Sequence, residues 1–477
     1  MLARRQKIII ALITGSAFLL FFSSSPQLID HVANVSMKVP YSPWAGRVDC
    51  KGEGAFHLQD HSKTEAITET TLPGGAPAPG FTIFDRLYIW NGTMFAVTSN
   101  PRAFPQIRYI LSQPKEQREG NNLEPTSREM QIITPAEAAP FLGERAVVIE
   151  GMTFILYDTS QFMAHYYHWW GEIILGAMRI YSTLSLVPGV RSPLPDPSRF
   201  ILPNIPDHEW RDRAGVNGPL MRAAFPSTSI ERMDFWQDLV DLNQTFVFER
   251  AMIVSRSAAH RSPLSTLWYK MISSTMNVTV PTHFWEPLRQ RLVLNTVAYL
   301  PVMNSAGAVI SNPPSQLPIV TYISRQGGGR RLTRESHDGL VKSLNEMSNQ
   351  GLFELHILRM ETLTFSQQVE AVARSTIILG VHGNGLTHQL WMPPSPHSTV
   401  IEMFFPGAYI HDYEILARNS GHKHYAVWND TTLTYPDGEW FKGVDYGPEN
   451  TFNGNSIPVH GPTVTQVIRE RLTSPVL

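Results

Sequence analysis

Residues 376–409 read TIILGVHGNGLTHQLWMPPSPHSTVIEMFFPGAY. Ile377, Ile378, Leu379 and Val381 form a short apolar run that empties into a turn with glycines at 383 and 385, and a helix-compatible segment opens near Leu386. A run this short, β-branched and closed by glycine, predicts a buried parallel strand followed by a glycine-rich loop. A second β-branched segment, 398–404, follows a proline-rich connection and carries one carboxylate, Glu402. Strand, glycine loop, helix and acidic strand is the usual layout of a nucleotide-binding half-domain.

The flanking residues extend this α/β pattern. Residues 319–324 (IVTYIS) predict a strand that ends at Arg325, followed by Gly327, Gly328, Gly329, Arg330 and Arg331. Ligands of open α/β sheets bind beyond the carboxyl ends of strands, so these arginines stand where a phosphate is met; a solvated basic turn is the alternative reading. An amphipathic helix is expected over 335–347, with Leu340, Val341, Leu344 and Met347 inward, and a strand over 355–360. Thr364 and Gln367 have the spacing of a capping box, opening a helix whose buried stripe is Phe365, Val369, Val372 and Ala373. The order predicts a right-handed βαβ unit with 376–381 as its second strand.

Gly383 and Gly385 allow backbone N–H groups to approach an anion, the helix near Leu386 adds its dipole, Thr387 offers a hydroxyl, and Glu402 is positioned for ribose hydroxyls. The loop His382-Gly383-Asn384-Gly385 lacks both the Gly-x-Gly-x-x-Gly spacing of a dinucleotide site and the lysine of a P-loop, which disfavours a dehydrogenase or an NTPase. His382, His388, His397 and His411 are spaced by six, nine and fourteen residues, with Asp412 beyond. No compact zinc signature, Asp-x-Asp or Gly-x-Ser-x-Gly is present, so no metal and no serine hydrolase are expected. Arginines and the helix terminus are left to neutralise a diphosphate.

The second informative stretch is 165–184, HYYHWWGEIILGAMRIYSTL. It lacks proline and repeats Trp169, Ile173, Ala177, Ile180 and Leu184 at helical spacing. His168 and Glu172 are four apart and share one helical face, either acting on one substrate atom or merely pairing at the end of a core helix. Strand-like runs at 146–150, 153–157, 199–203 and 245–255, with helical segments at 209–224 (broken at 215–219) and 286–294, predict an α/β N-terminal domain over 81–312. The proline-rich run 311–318 marks the boundary to a C-terminal Rossmann-like domain with tail, 313–477.

A chain of 477 residues exceeds one ordinary core, which agrees with two domains plus appendages. Its net charge of −2 provides no general field for nucleic acid. At the N-terminus, a short basic tail (1–7) with Arg4, Arg5 and Lys7 precedes an uncharged run, 8–25, which reads as a signal anchor with its basic end cytoplasmic. A cleaved signal peptide shares this layout, but Pro26 spoils the obvious cleavage point. Residues 26–80, closing in LPGGAPAPG, read as a stem. Sequons at Asn34, Asn91, Asn243, Asn277 and Asn429 exceed the roughly two expected by chance and favour lumenal life. With Cys50 alone there is no intramolecular disulfide.

The loop 382–388, the downstream Val400-Ile401-Glu402, the segment Ile323-Ser324-Arg325-Gln326 with Arg330 and Arg331, and the block Tyr167-His168-Trp169-Trp170-Gly171-Glu172 together resemble glycosyltransferase family 61. The resemblance spans about half the chain, 162–407. It implies an inverting transferase of the GT-B type, with two Rossmann-like domains facing across a cleft, which uses a UDP-sugar as co-substrate in the Golgi or endoplasmic reticulum. Xylose, N-acetylglucosamine and arabinose are the family's sugars, and the acceptor is a glycoprotein or polysaccharide.

By the same resemblance, Arg325 meets the diphosphate, the 382–387 loop wraps phosphate and nucleoside, and Glu402 holds the ribose. Glu172 is expected as catalytic base, with His168 positioning it or the acceptor. Two positions depart from the family pattern: Glu172 replaces a common aspartate, and Asn384 stands where alanine is usual. A catalytically inactive nucleotide-sugar binder and a metal-dependent lumenal hydrolase using the histidine cluster are the competing classes.

Overall fold

The computed structural model describes residues 63–74, 78–113, 122–190 and 193–473. The expected tail, anchor, Asn34 and Cys50 lie outside them, as does most of the expected stem. Among the described residues no helix is long and apolar enough to cross a membrane.

The first sheet contains β1 (Thr64–Ala66), β2 (Phe81–Trp90), β3 (Thr93–Val97), β4 (Met130–Ile133), β5 (Arg145–Leu156), β6 (Arg199–Ile201), β7 (Ser229–Glu231) and β8 (Phe246–Val254). Its order is β4-β3-β2-β8-β5-β6-β7, and β1 pairs with β5. The run β8-β5-β6-β7 is parallel, whereas β2 joins β8 and β3 antiparallel. This half is therefore a mixed sheet with a parallel portion.

Three expectations are corrected here. The folded body begins before Phe81, because β1 pairs with β5 and Thr70 is buried against Val97. The two strands expected at 146–150 and 153–157 are one strand, β5, with a bulge, where Gly151 takes φ +79° and the register shifts between Ile149 and Met152. The helix expected over 209–224 is confined to Asn217–Ala224; the preceding residues form turns, with Asp212 Oδ1 accepting the Asn217 N–H at 2.7 Å.

The second sheet contains β9 (Ile319–Ile323), β10 (Glu354–Leu358), β11 (Ile377–Val381), β12 (Thr399–Met403), β14 (Lys423–Trp428) and β15 (Thr431–Leu433). The two-residue β13 (Ala408–Tyr409) pairs apart from it with β16 (Asp445–Tyr446). The order is β10-β9-β11-β12-β14-β15, parallel throughout except for β15. The strand in the decisive stretch, β11, is thus the third and central one, not the second of a simple βαβ pair. A capped crossover helix fixes handedness but not which buried strand becomes the neighbour, and β9, β11 and β12 are all short, rich in β-branched residues and wholly buried.

The parallel strands follow the order 2-1-3-4-5, so the chain reverses its direction of growth between β9 and β11. The crossover helices are Arg334–Asn349, capped by the Thr333 hydroxyl, and Phe365–Ala373, opened by the expected Thr364–Gln367 capping box. A final helix, Gly461–Thr473, lays Val464, Val467 and Ile468 in one apolar cluster with Leu340 and Leu344.

The principal core belongs to both halves. Phe81, Phe154, Trp169, Trp170 and Ile173 share one cluster with Val369, Val372, Trp391, Tyr413 and Leu416. Trp170 meets Trp391 edge-on at 5.1 Å between centroids, and Trp285 Nε1 donates to the Leu390 carbonyl at 2.9 Å. The run at 311–318 precedes the second sheet, but packing continues across it. Among the sequon asparagines, Asn91, Asn243 and Asn277 are exposed and Asn429 is half-buried. Asn91 and Gly92 form the two-residue β2–β3 turn, with φ of 48° and 76°.

This core also encloses imidazoles. Burial pushes His388 and His422 down to about 4 and His424 to about 3. Each is neutral when folded and takes a proton near 6.5 when unfolded. Below about pH 6.5 the unfolded chain therefore binds more protons, and stability falls with pH towards 4 by up to about 1.4 kcal/mol per pH unit per group. The melting temperature is expected to drop between pH 6.5 and 4.5, and His422→Gln to make that slope shallower. A melting temperature flat across the window would contradict this account.

Candidate active site

The switch point between β9 and β11 sets the first half of the site. Arg325 lies two residues beyond β9, His382 directly follows β11, and Arg325 Nη1 donates to the His382 carbonyl at 2.6 Å. Gly383 has φ +151°, and a Cβ there would lie 1.2 Å from Arg325 Nη1. At Gly385 a Cβ would lie 2.8 Å from Ile323 Cγ2. Both glycines therefore make room for protein: one for the arginine, the other for close packing of a 3₁₀ helix, Asn384–Trp391, on β9. That helix begins two residues earlier than the sequence indicated.

Of the expected loop ligands, His382, Leu386 and Thr387 are buried, whereas Asn384 is exposed. Arg330 lies over the Phe452 ring at 4.8 Å, while Arg331 turns away to the Gly328 carbonyl at 3.2 Å. Gln326 closes this arginine turn through two bonds to the Leu332 backbone.

Glu402 faces the interior rather than open space. Its side chain has 0% exposure; Oε1 meets His382 Nδ1, and Oε2 accepts from His424 Nε2 at 2.8 Å. Burial raises the carboxyl well above its usual range and holds His382 well below its own, so His382 and Glu402 share one proton. Both oxygens are engaged, so the expected ribose contact is corrected to one that holds the His382 ring. His382 Nε2 in turn lies 3.7 Å from Asp412 Oδ2, and Asp412 pairs with Lys270 at 2.5 Å.

The other half rises from β5 and β8. The predicted helix over 165–184 is a π-helix over Tyr167–Ile174 followed by an α-helix over Leu175–Ser182. The apolar positions expected to face inward do so, but periodicity does not reveal the i→i+5 turn, a form that recurs at functional sites. His168 Nδ1 donates to Glu172 Oε2, which also accepts from Arg256 Nη1 at 2.8 Å, while Glu172 Oε1 accepts the Met271 N–H at 2.8 Å. Burial alone would raise the Glu172 carboxyl, but Arg256 and then His168 override it and hold the group well below the usual range.

A carboxylate with no exposure, three donors and a depressed affinity for protons is badly placed to receive one from an acceptor. The expectation of Glu172 as base is therefore corrected. His168, whose side chain is 22% exposed, is the member of the pair that reaches solvent. With Nδ1 committed to Glu172, Nε2 is left to accept a proton.

The two halves meet at these groups. Asn384 Nδ2 lies 3.4 Å from His165 Nε2, and the His165 ring is 4.7 Å from that of His168. Tyr166 OH donates to His388 Nδ1 at 3.1 Å and accepts from Trp391 Nε1 at 3.0 Å. Lys270 Nζ stands 5.5 Å from the Tyr167 ring centroid. Sequence reasoning missed Arg256, Lys270, His165 and His424 and considered Asp412 only as a metal ligand. Arg256 follows β8 as Arg325 follows β9, so the strand-end rule would have found it; Lys270 carries no local signal. Among the described residues no group of three or more His, Cys, Asp or Glu side chains is arranged to hold a metal ion.

Residues 166–401 match the family described as Glycosyltransferase 61. The match includes His168, Glu172, Arg256, Arg325 and the 382–387 loop, and ends one residue before Glu402. The chain is also 30% identical over 130 residues to an EGF domain-specific O-linked N-acetylglucosamine transferase of Drosophila melanogaster. That alignment covers 27% of this chain and 23% of the relative. A strand-end arginine packed over a glycine loop and a histidine held by a buried glutamate both lie within the matched span: the chain belongs to glycosyltransferase family 61.

Proposed function

We propose that the chain is an inverting GT-B-type transferase that moves a sugar from a UDP-sugar to a hydroxyl of a protein or glycan acceptor. N-acetylglucosamine ranks first among donors because the Drosophila relative is named for it, and xylose second. The observation that carries this reading is a solvent-reaching His168 oriented by a buried carboxylate, joined through the His165–Asn384 contact to the loop over which Arg325 lies. The exposed sequons support a lumenal head in the Golgi or endoplasmic reticulum, with residues 8–25 as a type II anchor. The sheets at 81–312 and 313–477 supply the acceptor and donor sides respectively.

In this mechanism His168 Nε2 takes the proton of the acceptor hydroxyl as its oxygen attacks the anomeric carbon. The bond from that carbon to the β-phosphate oxygen breaks, and its electron pair leaves on UDP. Inversion follows from attack opposite the leaving group. Glu172 stabilises the imidazolium formed at His168, the role of a buried carboxylate behind a histidine base. Arg325 and Arg330 meet the charge growing on the diphosphate, with Lys270 adding to the local positive field.

His168→Gln keeps the size and polarity of a partly exposed side chain while removing its basicity. It should reduce transfer by roughly 10²- to 10⁴-fold, with UDP affinity in calorimetry changed less than about twofold by the same argument. Unaltered turnover would exclude His168 as base.

Arg325→Ala should weaken UDP binding by roughly 10- to 100-fold, the worth of a charge-assisted contact to phosphate. Gly383→Ala should do the same through displacement of that guanidinium, and the double variant should be no worse than either single one. Full UDP affinity in Arg325→Ala would refute the assignment. Turnover is expected to persist in EDTA, since these cations carry the neutralisation; loss of activity restored by a divalent ion would reverse that part of the reading.

A further inference from the structure

We infer that His165 and Asn384 form a two-sided clamp that contacts the transferred sugar and sets which sugar is accepted. This rests on the transferase reading above. In an in-line displacement the anomeric carbon lies between the base-bound hydroxyl and the leaving phosphate, so the sugar ring occupies the space between His168 and Arg325. The residues that bridge that space follow as a chain of neighbours. His165 packs on His168 at 4.7 Å between rings, Asn384 Nδ2 stands 3.4 Å from His165 Nε2, and Asn384 adjoins Gly383, over which Arg325 lies.

Exposure singles out the same pair. Within 382–387 the only exposed side chain is that of Asn384, the other polar ones, His382 and Thr387, being buried. His165 is exposed directly across from it.

The chemistry suits a sugar hydroxyl. A neutral His165 ring presents one donor and one acceptor nitrogen. Asn384 offers two amide donors and a carbonyl acceptor. A separation of 3.4 Å is at the long limit of a hydrogen bond, so the direct contact is weak and readily exchanged for hydroxyls that donate to one side and accept from the other. A structural tie between the halves is the plainer reading of this pair. That task is already met by the buried Trp391–Tyr166–His388 contacts and the Lys270–Asp412 ion pair, and an exposed bond adds little to them. Hydroxyl-reading groups discriminate strongly because a wrong sugar leaves a polar partner unmet.

The test measures turnover of UDP-N-acetylglucosamine, UDP-xylose and UDP-arabinose, with UDP affinity and melting temperature followed in parallel. Asn384→Ala and His165→Ala are each expected to change the ratio of turnover between the two best wild-type donors by about tenfold or more. UDP affinity should stay within about twofold of wild type and the melting temperature should be unchanged. Asn384→Ser, which keeps a short donor and acceptor, should restore part of the wild-type ratio. Equal loss on all donors, or weakened UDP binding, overturns the clamp while leaving the transferase reading standing. A wild-type chain that neither binds UDP nor turns over any of the three sugars overturns that reading, and the clamp with it.

Discussion

The site depends on a buried carboxylate that must remain satisfied. Glu172 has no exposure, and three donors hold it: the His168 ring, the Arg256 guanidinium and the Met271 N–H. These come from the same π-helix, from the turn just beyond β8 and from the start of the segment Met271–Thr275. Removing one partner of such a pair typically costs about 3–5 kcal/mol, because the remaining charge is stranded in low dielectric. Three separate pieces of chain are thereby locked in register, and His168 is presented towards the second half with its outer nitrogen unencumbered. The orientation of His168 is thus a consequence of electrostatic satisfaction beneath it.

The second half uses a related device at the end of its central strand. Glu402 is equally hidden and braces His382 from one side, while Asp412 stands at the other face of that ring. The His382 backbone carbonyl and Gly383 then form the surface against which Arg325 packs. A histidine backed by a glutamate thus occurs twice. In the first instance the histidine reaches solvent, whereas in the second it is walled in and supports an arginine. Motif spacing alone does not separate these cases; burial does.

That distinction marks what could be read from the chain. The parallel strands β9, β11 and β12 were legible because each is a short β-branched run bounded by turn residues, and the Thr364 capping box because its two ends are three residues apart. The strand-end positions of Arg325 and the His168–Glu172 pairing followed from general rules of sheet and helix geometry. Strand order was not legible, since three short β-branched strands, each wholly buried, satisfy the same pattern. The roles within the pair were also hidden: whether His168 or Glu172 faces outward is decided by Arg256 and Met271, 84 and 99 residues away from Glu172. Lys270 escaped notice, and Asp412 was weighed only as a metal ligand, for the same reason: they pair across the two halves.

The continuity of the core bears on how such a site operates. Trp170 and Trp391 pack against each other, Trp391 donates to Tyr166, and Tyr166 donates to His388, so the π-helix and the loop helix are fastened together. Packed interiors resist small displacements because close-packed side chains have no slack to absorb them. The proposed in-line displacement needs the base, the anomeric carbon and the leaving oxygen aligned, and misplacement by about 1 Å can cost on the order of 100-fold in rate. Fixing the two halves through buried aromatic contacts sets the separation of His168 and Arg325 before any ligand arrives. Adaptability is then left to the exposed side chains lying between them.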